Sequence, residues 1–82
     1  MAQPFSNQPQ VKMRKAIIIF LKSASQPIVI YSSNPQKDYE ELKAAMKTPN
    51  ILVEKEATGP IKNYCMISNN ILGVILQDEQ YS

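Results

Sequence analysis

The sequence predicts a small α+β domain in the order ββαβββ, with one mainly antiparallel five-stranded sheet and a single helix packed on one face. Three observations carry this prediction. Five short runs are rich in β-branched and aromatic residues, which strands prefer. One segment, "NPQKDYEELKAAMK", opens on an Asn-Pro pair suited to a helix start and continues with good helix formers. The length of 82 residues fits one domain. An alternative form has the same strands in a strongly twisted sheet that curls toward a half-open barrel.

The opening stretch "MAQPFSNQPQ" has no charge and no apolar period. Residues 1–12 therefore read as a flexible tail. Residues 13–78 read as the domain, and the polar, acidic residues 79–82 as a C-terminal tail.

Strand one spans about residues 13–22 and contains "KAIIIFLK". Alternation puts Ile17, Ile19 and Leu21 on one face and Ala16, Ile18 and Phe20 on the other. Both faces are apolar. After "SASQP", strand two covers 28–32, and the short gap predicts a hairpin.

The helix follows. Pro35 suits its first position, where a missing N–H costs nothing. Asn34 can cap the first turn, and Ser33 with Gln36 also matches a capping box. Both caps stay open at this level. Asp38, Glu40 and Glu41 precede Lys43 and Lys47, in the order the helix dipole favours. Pro49 ends the helix. Tyr39, Leu42, Ala45 and Met46 form a narrow inward stripe.

Strand three covers 51–57. "TGP" is a turn in which Gly59 permits a positive φ and Pro60 presets the next residue. Strand four covers 61–68. Asn69 and Asn70 give a two-residue hairpin signal, and strand five covers 71–77. Strand one is expected to lie between its hairpin partner and the meander of strands three to five.

A narrow helix covers one sheet face only. An antiparallel sheet with a wet face should alternate cleanly, and strands one, two and five do not. The expected arrangement sends Ile17, Ile19, Ile30, Ile71 and Ile75 toward the helix. It leaves Ile18, Phe20, Leu72, Val74 and Leu76 on the second face. Burying those five is worth roughly 7–15 kcal/mol as an upper bound. Such a face is expected to meet a partner, either a second copy in a homodimer or another protein.

Catalytic constellations are scarce. There is no histidine and one cysteine. Ser–His and Cys–His pairs, a disulfide within the chain and a usual zinc site are excluded. Cys65 reads as a small buried residue in mid-strand. The two glycines form no phosphate loop, and Gly73 reads as a bulge or a close contact across a face. Glu54 with Glu56, and Glu40 with Glu41, read as solvated acids near Lys55 and Lys62. No metal, cofactor or enzymatic activity is expected.

The apolar run of strand one is shorter than a signal-peptide core of roughly 7–15 residues and far shorter than a bilayer span of about 20. A lone cysteine fits a reducing compartment. A cytoplasmic location without a membrane span is the expectation.

The expected function is a non-catalytic, self-associating or protein-binding domain. The alternative is a small nucleic-acid-binding β protein. Residues 1–34 carry Lys12, Arg14, Lys15 and Lys22 and no acid. With Lys62, and with Tyr31 or Tyr64 as stacking platforms, they form the candidate nucleic-acid surface.

Overall fold

The computed structural model describes residues 12–81. Most of the expected N-terminal tail lies outside them. The described chain is α+β. It runs β1 (Lys12–Leu21), β2 (Ile28–Ile30), α1 (Pro35–Ala45), β3 (Leu52–Glu56), β4 (Asn63–Ile67), a 3₁₀ turn (Ser68–Asn70) and β5 (Ile71–Tyr81).

The ββαβββ order and the antiparallel pairing are as the sequence predicts, but the single five-stranded sheet is not. The strands form a three-stranded sheet in the order β2-β1-β5 and a separate β3-β4 hairpin. The curled half-barrel is not formed either, because no strand of one sheet pairs with a strand of the other.

The break falls at "SNN". A two-residue type I′ hairpin needs positive φ at both central residues. Asn50 is the one described non-glycine residue with positive φ, at 62°. Asn69 and Asn70 instead continue from Ser68 into the 3₁₀ turn, and their side chains hold other loops. The hydroxyl of buried Ser68 donates to the Thr48 carbonyl at 2.7 Å and accepts from the Ile51 N–H at 3.0 Å. Asn69 accepts from the Asn50 N–H at 2.7 Å and donates to its side-chain oxygen at 3.1 Å. Asn70 accepts from the Ser23 N–H at 3.0 Å and donates to the Ser23 hydroxyl at 2.8 Å. One turn thus ties the helix exit, the start of β3 and the β1–β2 connection together. The chain leaves it along β1 rather than back along β4.

The β1–β2 hairpin pairs Ile17 with Ile30, Ile18 with Val29 and Ile19 with Ile28. β1 is central in its sheet, as expected. β5 pairs with β1 from Lys12 opposite Tyr81 to Leu21 opposite Ile71. The strand therefore takes in residues 79–81, which the sequence reading placed in a polar tail.

The helix begins as its sequence indicates. The Asn34 side chain accepts from the Lys37 N–H at 3.4 Å, which decides between the two candidate caps. The Ser32 hydroxyl accepts from the Asn34 N–H at 3.0 Å and donates to Asp38 at 2.5 Å. The inward stripe is narrower than expected. Leu42 is fully buried, Tyr39 and Ala45 are half-buried, and Met46 lies past the last turn and is exposed.

The core is one cluster. Ile17, Ile19 and Ile30 of the three-stranded sheet meet Leu42 of the helix and Val53, Tyr64 and Met66 of the hairpin. Helix and hairpin therefore share the same side of the sheet. Lys55 fastens them. It reaches Asp38 at 3.5 Å and forms an ion pair with Glu41. Burial works against its ammonium, but the two carboxylates outweigh that and hold its pKa above the ordinary lysine value.

Candidate interaction face

Side chains opposite one another in an antiparallel pair share a face. Ile17 faces Leu76 and Ile19 faces Val74. Both pairs lie on the core side, and Val74 and Leu76 pack against the core cluster. Ile18 stands between Val29 and Ile75 on the outer side, and Phe20 faces Gly73 there.

The expected face assignment is corrected by this register. Ile18 and Phe20 are outward as predicted, but Val74 and Leu76 belong with the helix, and Ile75 belongs outside. A bulge is the cause. The register shifts between Phe20 and Leu21, so that Phe20 pairs with Gly73 and Leu21 with Ile71. Leu72 is the extra residue. One inserted residue exchanges the faces on either side of it. Ile71 therefore reaches the core, as expected, in company with Val74 and Leu76.

The outer face is apolar at its centre. Val29 is 36% exposed, Ile75 43% and Leu72 64%. Ile18 and Phe20 lie half-buried among them. No described helix or strand covers this side, since α1 and the hairpin both pack on the other.

Toward the N-terminal end of β1 the same face becomes polar. Arg14 is cross-strand to Glu79 and donates to it from Nε at 2.8 Å. The guanidinium lies 3.9 Å from the centre of the Tyr31 ring, a cation–π distance. The Tyr31 hydroxyl donates to the same Glu79 carboxylate at 2.8 Å. These two donors, the tyrosine first, hold the Glu79 carboxyl below its ordinary pKa. The shared hydrogen bond, with some burial, raises the Tyr31 hydroxyl. On the opposite, core-side face, Lys15 bonds Asp78 at 2.7 Å.

Gly59 completes this end. A Cβ built on it would collide with Cδ2 of Tyr31 and lie 3.2 Å from Cγ. Its φ is not positive, so the expected left-handed turn is corrected. Glycine is needed here for space. The Thr58 N–H donates to the Tyr31 carbonyl at 2.7 Å, which brings the loop alongside the ring.

The candidate nucleic-acid residues do not gather into one free surface. Arg14 and Lys15 lie beside carboxylates on the neighbouring strand. Tyr31 is half-buried and bonded to Glu79. Tyr64 is buried on the inner face of the hairpin. Its hydroxyl has no hydrogen-bond partner among the described residues. Burial, aided by the Asp38 and Glu41 charges, pushes its pKa up to about 12. Lys12, Lys22 and Lys62 are exposed but stand on different elements: Lys12 on β1, Lys22 after it and Lys62 before β4.

Cys65 is exposed, not buried. It pairs with Glu54 on the outer face of the hairpin, while its neighbours Tyr64 and Met66 turn inward. Lys55 does not partner Glu54 or Glu56. It turns to the helix, and those two acids stay exposed. Among the described residues, no group of three or more Cys, Asp or Glu could hold a metal ion. No described helix is long and apolar enough to cross a membrane.

No protein-family model, no curated protein and no solved structure matches this chain.

Proposed function

We propose that this protein is a non-catalytic interaction domain that self-associates through the β2-β1-β5 sheet. One observation carries the reading. Ile18, Phe20, Val29 and Ile75 form an outward apolar patch, with the exposed bulge residue Leu72 at its margin, bounded by the polar group of Arg14, Tyr31 and Glu79. Exposed apolar patches with a polar rim are characteristic of partner surfaces. A homodimer is the preferred assembly, because two-fold pairing is the commonest way for one chain to cover its own surface.

Replacing Ile75 with Glu tests the reading. The side chain is outward and part-exposed, so the fold should survive, as judged by an unchanged far-ultraviolet spectrum. The proposal requires the solution mass to fall to that of one chain. An assembly unchanged by Ile75→Glu overturns the assignment of this patch. An absorbance ratio revealing bound nucleic acid on the same peak, lost in moderate salt, would favour the nucleic-acid reading instead.

A further inference from the structure

The three-stranded sheet has two edges, and they are unlike. At one edge, β2 is three residues long and follows Pro27. The carbonyl of Tyr31, just after β2, is taken up by Thr58. Beyond the reach of β2, the edge of β1 runs through the basic residues Lys12, Arg14 and Lys15, the last two reaching across to Glu79 and Asp78 of β5. Short strands, prolines and basic side chains are the usual devices that prevent edge pairing. At the other edge, β5 is 11 residues long and contains no proline, lysine or arginine; its bulge at Leu72 and its acids Asp78 and Glu79 flank an unguarded run from Gly73 to Gln77. Among the described residues, the only strand paired with β5 is β1.

The apolar residues along β5 are incompletely covered on both faces. On the core side, Ile17 and Ile19 of β1 are fully buried, but their partners Leu76 and Val74 are only half-buried. On the outer side, Ile75 is exposed, and the bulged Leu72 is exposed beside it. A partner stacked on the outer face would leave Val74 and Leu76 as they are. A strand laid beside β5 would cover residues of both faces and satisfy the outward backbone groups as well.

We infer that the free edge of β5 pairs antiparallel with β5 of a second copy, joining two sheets into one in the order β2-β1-β5-β5-β1-β2. This rests on the self-association proposed above but sets the contact at the sheet edge, so that of the outward patch it covers Ile75 and leaves Ile18, Phe20 and Val29 open. The charges of β5 support a second copy as the occupant. Residues 71–77 are uncharged, and Asp78 and Glu79 follow. A two-fold centred on Ile75 places Val74 opposite Leu76 of the other copy. It sets Asp78 and Glu79 opposite the apolar Leu72 and Ile71 of that copy. A centre near Asp78 would oppose like charges, which destabilises cross-strand pairs.

Cysteine cross-linking tests this geometry. Exposed Cys65 is first replaced by Ser. Ile75→Cys and Val29→Cys are then made separately; both positions are outward and part-exposed. In the edge-paired dimer the two copies of residue 75 are one strand spacing apart, about 5 Å, within disulfide range. The two copies of residue 29 are about five spacings apart, roughly 24 Å. Under mild oxidation, Ile75→Cys should form the covalent dimer at least roughly tenfold faster than Val29→Cys.

A chain that is dimeric by light scattering but cross-links equally through both positions, or through neither, overturns the edge pairing and leaves self-association standing. A monomeric chain that cross-links through neither overturns both. Amide exchange on the unaltered chain gives a second readout. Protection within 71–79 should rise with protein concentration, and protection there that is independent of concentration in a dimerising chain overturns the inference.

Discussion

Gly59 and Tyr31 are packed so closely that no side chain fits between them. A Cβ on Gly59 would collide with the tyrosine ring, which is itself held by Glu79 and lies under Arg14. The contact joins the β3–β4 loop to the end of β2 and, through Glu79, to β5. Gly59→Ala should therefore cost about 1–3 kcal/mol, the usual range for overpacking. Gly73→Ala is the contrast, because a Cβ there meets only Phe20 at 4.0 Å. It should be neutral or mildly stabilising in urea denaturation. Equal losses for the two variants would contradict this account of Gly59.

Acid should weaken the fold through the same group. The folded pKa of Glu79 lies below its ordinary 4.5, because Tyr31 and Arg14 donate to the carboxylate. Glu41 is likewise lowered by Lys55. For a depressed carboxyl the folded state binds fewer protons than the unfolded state near the ordinary pKa. Its stabilisation is therefore present above about pH 4.5 and is lost as pH falls through the folded value. The urea midpoint should hold near neutrality and fall below about pH 4.5, with a shallower fall in Glu79→Gln. Parallel acid limbs in the two proteins would argue against the Tyr31–Glu79–Arg14 group.

Tyr64 makes the opposite limb testable. Its folded pKa of about 12 exceeds the ordinary 10.0. A raised pKa stabilises fully below pH 10, and that contribution is lost as pH rises toward 12. Tyr64→Phe removes a buried hydroxyl that has no partner among the described residues. It should raise thermal stability by about 1 kcal/mol or leave it unchanged, and it should flatten the alkaline loss. The contributions of Lys55 and Tyr31 remain. A clear drop in melting temperature would show that the hydroxyl has a stabilising partner.

Ser68 holds both the Thr48 carbonyl and the Ile51 N–H. Ser68→Ala leaves the two backbone groups without that hydroxyl and should cost about 1–3 kcal/mol. Chemical denaturation reads the loss directly, and a variant as stable as the parent would remove Ser68 from the junction.

Several of these features were legible in the residues. The Asn34–Pro35 start of the helix and the β1–β2 hairpin follow from local chemistry, and both are observed; the choice between the two caps and the hairpin register came from the structure. The partition into two sheets was not legible. "NN" resembles a hairpin turn, yet Asn69 and Asn70 bond Asn50 and Ser23, far away in sequence. The faces of β5 were hidden for a related reason. In "ILGVILQ" every early position but Gly73 is apolar, so alternation cannot reveal an inserted residue. The bulge at Leu72 depends on pairing with β1. Cys65 sits in a similar run, "YCMI", where polarity does not tell inside from outside. Lys55 turned inward because its partners, Asp38 and Glu41, lie on the helix.

Self-association is tested most directly by light scattering of the solution mass across a hundredfold range of concentration, with absorbance recorded on the same peak. The mass should rise to that of two chains, with no nucleic-acid absorbance. A mass of one chain throughout the range would contradict self-association.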